Sequence, residues 1–217
     1  MDHKRPAFTL LELTMALVIT AVTGLSIAGV TLSISHVSQR SRQFNESIQS
    51  GRCVLRNIGL DIRQAKLVTA CDDLGVTLWA NDDDQNGLIN FSELMAIYYD
   101  PEAKQLCQTR IDLSSIDQGA RDAINQPVLL SNLTSASYSR SYIRTSSYTL
   151  NRVLAQNVTA ARFFVDEAAP TSRTLGVELT ITRDDQPVVF RTAVSTRAGF
   201  EQYVGVSDGD YVLLPVY

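Results

Sequence analysis

The pattern of apolar and polar positions changes twice along this chain, from an uncharged apolar run to an amphipathic stripe and then to strict alternation. From Leu13 to Gln39 there is no Asp, Glu, Lys or Arg, and His36 is the sole titratable side chain. The apolar core of that run, Met15 to Leu32, is long enough with its flanks to cross a ~30 Å hydrocarbon layer as a helix. Its Thr, Ser and Gly residues suit helix packing in lipid, where small side chains let backbones approach. Beyond Ser35 the period becomes amphipathic. Phe44, Ile48, Gly51, Leu55, Ile58, Ile62 and Ala65 recur at spacings of three and four, and Arg40, Arg42, Arg52 and Asp61 lie on the opposite face. No proline interrupts Phe8 to Ala65, so one continuous helix of about 58 residues, or ~87 Å, is expected.

After Ala65 the period shortens to two. Lys66–Ala70, Val76–Ala80, Met95–Tyr99 and Gln105–Ile111 read as strands, followed by Pro127–Leu130, Ala160–Val165, Leu175–Thr182 and Val188–Val194. Asp184-Asp-Gln-Pro187 reads as the turn of a hairpin. Ser131 to Ser147, rich in Ser, Thr and Tyr, reads as a surface loop whose Tyr138, Tyr142 and Tyr148 pack on the head or meet a partner. The tail from Tyr203 to Tyr217 supplies a last strand or wraps the head. The fold class expected is α+β, with one long helix against an antiparallel sheet.

Composition narrows the function. A formal charge of −4 with scattered arginines lacks the massed positive charge that phosphate neutralisation needs, so no nucleic-acid partner is indicated. Only His3 and His36 are present, both outside the 66–217 head, which removes histidine-based nucleophilic catalysis and His-rich zinc chemistry there. No phosphate-binding glycine loop or dinucleotide fingerprint occurs. A non-enzymatic role is expected.

One segment carries sharper chemistry. Asp82-Asp-Asp-Gln-Asn-Gly-Leu-Ile-Asn-Phe-Ser-Glu93 fits the twelve-residue EF-hand loop without a gap. Asp82, Asp84 and Asn86 stand at positions 1, 3 and 5, and Gly87 at the sharp turn. Leu88 offers its carbonyl, Asn90 binds directly or through water, and Glu93 is expected to bind bidentately. Ile89 fills the apolar position that ties the loop to the core. Hard oxygen donors favour Ca²⁺. The flanks read as strands rather than helices, so a structural calcium loop set into a β-hairpin is expected over residues 82–93.

The order of the N-terminal signals is unusual. Met1-Asp-His-Lys-Arg-Pro-Ala7 is a basic head whose small residue precedes the apolar run, whereas a secretory signal places its cleavage site after it. Followed by Phe8-Thr-Leu-Leu-Glu12, it resembles the prepilin-type signature of type IV pilins and type II secretion pseudopilins. Leu55-Arg-Asn-Ile-Gly-Leu-Asp-Ile-Arg-Gln-Ala65 is similar to the helix end of J-type minor pseudopilins and W-type minor pilins. The resemblance implies a leader at 1–7, cut by prepilin peptidase between Ala7 and Phe8, with N-methylation of Phe8. The family usually has Gly at the position of Ala7. It further implies a transmembrane assembly segment at 8–34, an amphipathic half at 35–65, and a head at 66–217 in the periplasm or cell exterior. The chain would sit as a single-pass protein in a bacterial inner membrane and enter a filament with other pilin or pseudopilin subunits. Glu12 would pair with a neighbour's amino terminus; such a carboxylate in lipid needs a partner. The alternative is a membrane-anchored, calcium-stabilised binding module outside any filament.

Three cysteines stand at 53, 71 and 107. Cys71 and Cys107 bracket the calcium hairpin and form the candidate disulfide in an oxidising compartment, with Cys53, on the long helix, expected as a buried free thiol.

Overall fold

The computed structural model describes residues 9–183, 186–196, 203–207 and 210–213. The Asp184-Asp185 turn lies outside them. The protein is α+β, with a long N-terminal helix followed by antiparallel sheets. Helix α1 spans Leu10–Gln64, 55 residues in all. The chain divides into two compact units, Met1–Glu46 and Ser47–Tyr217.

In the first unit α1 carries eighteen consecutive residues with a mean hydropathy of 2.0, none of them buried. It is long and apolar enough to cross a membrane. Six hydroxyls of its apolar stretch are closed upon the helix itself. The hydroxyls of Thr14, Thr20, Thr23, Ser26, Thr31 and Ser33 each donate to a backbone carbonyl one turn back. This removes the cost of exposing an unpaired hydroxyl to hydrocarbon.

In the second unit, the α1 segment from Ser47 buries Ser47, Gly51, Val54, Ile58, Gly59 and Ile62. The expected stripe holds at Gly51, Ile58, Ile62 and Ala65 but is rotated elsewhere. Phe44 is exposed, Leu55 is half-buried, and Val54 takes the central position. At Gly51 the Phe190 ring sits so closely that an added Cβ would fall 2.4 Å from it. Asp61 also departs from the solvated face. It is half-buried and accepts from Gln108 Nε2 at 2.6 Å and Arg110 at 2.7 Å.

Five strands follow in one sheet, ordered β1-β2-β3-β4-β5: Leu67–Asp72, Gly75–Trp79, Leu94–Asp100, Gln105–Ile111 and Thr149–Gln156. A second sheet is ordered β6-β7-β8: Val158–Val165, Thr174–Arg183 and Gln186–Ser195. All pairings are antiparallel. The hairpin β9 (Val204–Ser207) and β10 (Asp210–Leu213) is built from the tail. Between β4 and β5 lie three short helices, α2 (Gln118–Ile124), α3 (Leu130–Leu133) and α4 (Ala136–Arg144).

Two cores result. One joins Val54, Ile58 and Ile62 of α1 to Val76, Leu78 and Ile97 of the first sheet and to Phe163, Val177 and Leu179 of the second. The other lies on the opposite face of the first sheet, where Trp79, Ile89, Leu94 and Cys107 meet Leu130, Leu133 and Ile143 of the short helices. The five-stranded sheet is therefore covered on both faces.

The short helices correct the expected loop. Leu130, Leu133, Ser139 and Ile143 are buried at helical spacings. Tyr138 and Tyr142 stack on the outer side, with Tyr142 edge-on to Phe91 at 5.0 Å. Pro127–Leu130 is not a strand. It makes one bridge, Asn90 to Pro127, and then turns into α3; proline has no N–H with which to extend a ladder.

Candidate functional site

The segment from Ala80 to Glu93 is the connection of the β2–β3 hairpin, closed at its base by the Ala80 N–H donating to the Glu93 carbonyl at 2.9 Å. Its chain direction is set locally. Gly87 has φ 71°, a left-handed conformation that a side chain disfavours. The Leu88 N–H donates to Asn86 Oδ1 at 2.6 Å, and the Asn86 N–H to Asp84 Oδ1 at 3.2 Å. Ile89 is fully buried, and its carbonyl accepts from the Val128 N–H at 2.7 Å. The exit is a single 3-10 turn, Phe91–Glu93, with Asn90 and Glu93 forming a capping box. A residual turn of helix thus survives between two strands.

This geometry brings one oxygen each of Asp82, Asp84 and Glu93 within 4.8 Å of one another. Oxygens around one Ca²⁺ lie 2.3–2.6 Å from the ion, so the separation across it is about 5 Å. The Asp82 side chain is 4% exposed. Its Oδ2 accepts from Lys66 Nζ at 2.8 Å, while Oδ1 is buried with no hydrogen-bond partner. A buried carboxylate oxygen without a donor is costly, and a cation at the cluster would relieve it. The donor set, all oxygen and acidic, fits calcium.

Each expected ligand has a definite place. Asp84 Oδ2 accepts from Asn86 Nδ2 at 2.7 Å and from Asn90 Nδ2 at 2.9 Å, so both amides face the cluster. Leu88 is exposed on the loop surface. Glu93 is buried, and its Oε2 accepts from both Trp79 Nε1 and the Asn90 N–H at 3.0 Å. Its Oε1 accepts from the Asp83 N–H at 2.8 Å. A carboxylate oxygen has two lone pairs. Both Glu93 oxygens thus accept hydrogen bonds, two on Oε2 and one on Oε1.

The carboxyls are tuned in opposite directions. Burial pushes Glu93 above the ordinary carboxylate range, with the Asp82 charge adding to it against the hydrogen bonds from Asn90, Trp79 and Asp83. Burial acts the same way on Asp82, but the hydrogen bond and charge of Lys66 act against it, and Asp82 lies below that range.

Lys66 and Trp79 are the participants that pattern reading passed over. Lys66 stands just past the end of α1, with its ammonium 5.3 Å from the Trp79 ring centre and 5.4 Å from that of Tyr203. The sequence signal was slight: one lysine at a helix-to-strand junction, and the chain's single tryptophan at a strand end.

The other expected sites lie apart from this cluster. Ala7 and Phe8 fall outside the described residues. Glu12 lies in the first turn of α1. Its Oε2 accepts from the Thr9 N–H at 2.9 Å and Thr9 Oγ1 at 3.0 Å, and its own N–H donates back to Thr9 Oγ1 at 3.3 Å. This is a capping box, readable in the Thr-x-x-Glu pattern. Among the described residues no Lys or Arg pairs with Glu12.

The expected Cys71–Cys107 bridge is not formed, all three cysteines are thiols, and Cys53 is exposed on α1 rather than buried as expected. Cys71 pairs with Val76 on β2, whereas Cys107 pairs with Tyr98 on β3. Two strands separate them, roughly 14 Å at 4.8 Å per strand, against a Cα separation below about 7 Å for a disulfide. They also face opposite cores. Bracketing a hairpin in sequence placed them on its outer neighbours, not beside each other.

No family model matches the chain, and no curated protein or solved structure matches it either. The class defined by the fold is therefore stated from the coordinates alone: an apolar helix long enough to span a membrane, followed by a β-sheet head, an architecture consistent with that of pilins.

Proposed function

We propose that this protein is a prepilin-type filament subunit, a minor pilin or pseudopilin of a type II secretion or type IV pilus-type machine. The leader at 1–7 is removed by prepilin peptidase, Phe8 is N-methylated, and the α1 segment holds the chain in the inner membrane until it joins other subunits. The head lies in the periplasm or cell exterior and binds one structural Ca²⁺ through Asp82, Asp84 and Glu93, assisted by Asn86, Asn90 and the Leu88 carbonyl.

The observation that carries the reading is the bare apolar surface of α1 in the first unit. Every large hydrophobic residue from Leu10 to Val37 is at least half exposed, and Gly24 and Gly29 have nothing within 4 Å of an added Cβ. Such a surface, with its hydroxyls internally satisfied, needs lipid or other helices around it. The string Phe8-Thr-Leu-Leu-Glu12 and the basic head ahead of it support a subunit that exchanges lipid for neighbouring helices.

One observation favours the rival reading of a membrane-anchored, calcium-stabilised binding module. The capping box gives Glu12 a local role that requires no neighbour. Two substitutions separate the readings, because glutamine at this position keeps the capping box while removing the charge. In cells that make the other subunits, Glu12→Gln and Glu12→Ala are both expected to lower crosslinking to neighbouring subunits at least tenfold, with membrane levels of the protein unchanged. Wild-type crosslinking by Glu12→Gln would reduce Glu12 to a cap and favour the anchored module.

A further inference from the structure

Resting on the calcium reading of the loop, we propose that Lys66 is a resident counter-cation of the site, which positions Asp82 and holds calcium affinity down. The Lys66 ammonium is fixed on three sides, by Asp82 Oδ2 at 2.8 Å and by the Trp79 and Tyr203 rings at 5.3 and 5.4 Å. Cation–π contact with two rings and one charge-assisted hydrogen bond define its place. With Oδ2 engaged, the only buried oxygen of Asp82 left without a donor is Oδ1, on the carboxylate that closes the cluster.

Two consequences of opposite sign follow. Without a divalent ion, Lys66 supplies the positive charge that three converging carboxylates need, so it keeps the loop folded. With the ion bound, a fixed positive charge next to a ligand carboxylate repels it, since like charges a few ångströms apart in a partly buried site are poorly screened. A residue with only a packing role would weaken binding when removed. Lys66 is expected to strengthen binding when its charge is removed. The single tryptophan makes this visible: the Trp79 ring touches the ammonium and its Nε1 donates to Glu93.

The test is titration of the full chain in detergent with CaCl₂, read by Trp79 fluorescence and by calorimetry. Lys66→Met and Lys66→Gln are compared with Lys66→Arg, and with Lys104→Gln in the turn at the far end of the β3–β4 hairpin. Both neutral variants are expected to bind Ca²⁺ at least threefold more tightly than wild type, and to melt at a lower temperature in EGTA. Lys66→Arg and Lys104→Gln should stay within twofold of wild-type affinity. Lys66→Gln retains a donor for Asp82 Oδ2, so it gives a folded comparison if Lys66→Met does not fold. Unchanged or weaker binding by a folded neutral variant, with wild type binding normally, overturns the role of Lys66 and leaves the calcium site standing. Absence of both heat and fluorescence change in wild type up to 10 mM CaCl₂ overturns the site, and this role with it.

Discussion

At the scale of single residues, the cysteines show how far sequence spacing reaches. Cys71 and Cys107 stand at plausible outer positions of a hairpin pair, but whether two strand residues face the same core depends on register, and register is fixed by packing rather than by spacing. Burial, together with the Asp72 and Asp73 charges, pushes the Cys71 thiol up to about 12, against the pull of Arg140. Burial also raises Cys107, while Cys53 is exposed on α1. Since the thiolate is the reactive form, a maleimide at pH 7 is expected to label Cys53 alone in the folded protein, and all three residues after unfolding without reductant. Rapid labelling of Cys71 in the folded protein would contradict this burial. The loop was far more legible. Asp82, Asp84, Asn86, Gly87, Ile89, Asn90 and Glu93 follow a local pattern that needs only neighbours in sequence. Lys66 and Trp79 were not legible, because they reach the loop through the fold.

At the scale of elements, α1 and the strands flanking the loop were readable because their periods are long and unbroken. β4 begins and ends at the residues its alternation marks. The helices α3 and α4 were hidden by composition, since Ser, Thr and Tyr lower helical propensity and their buried positions are few. Tertiary cover decides there. Arg144 lies over the Tyr98 ring at 4.5 Å, and Thr77 Oγ1 meets Ser139 Oγ at 3.1 Å. In α1 the contact of Gly51 with Phe190 identifies where the helix meets the second sheet most closely. Gly51→Ala should favour the isolated helix by about 1 kcal/mol yet place a methyl inside the ring's space. A net destabilisation of about 1–3 kcal/mol is expected from overpacking, measured as a lower thermal midpoint of the full chain in detergent. A raised midpoint would mean that Phe190 moves aside at little cost.

At the scale of the whole molecule, the α4 layer is tied to the turn after β1 by one paired contact. Arg140 Nη1 and Nη2 donate to Asp72 Oδ1 and Oδ2 at 2.6 and 2.7 Å. Burial alone would raise the Asp72 carboxyl. The Arg140 hydrogen bonds and charge, with the Leu74 and Gly75 N–H groups, outweigh it and hold the carboxyl below its ordinary range. A carboxyl depressed in the folded state adds stability that is full above its unfolded value, about 3.9, and is lost as pH falls through the folded value. The melting difference between wild type and Arg140→Met is therefore expected to be largest near pH 7 and to shrink below about pH 4. A difference constant from pH 7 to pH 3 would assign the effect of Arg140 to packing.

The contacts of α1 with β8 also set an order in time. Gly51 waits for Phe190, and Gly59 for Val194, so one wall of the first core emerges early in synthesis and its other wall nearly last. Contacts so distant in sequence close slowly, since a long chain must be looped before any gain is returned. Until β8 is made, Val54, Ile58 and Ile62 have no complete cover, and a chain released before Phe190 leaves part of that stripe open beside an already apolar helix. Such truncated chains are the ones expected to be sticky substrates for chaperones and proteases.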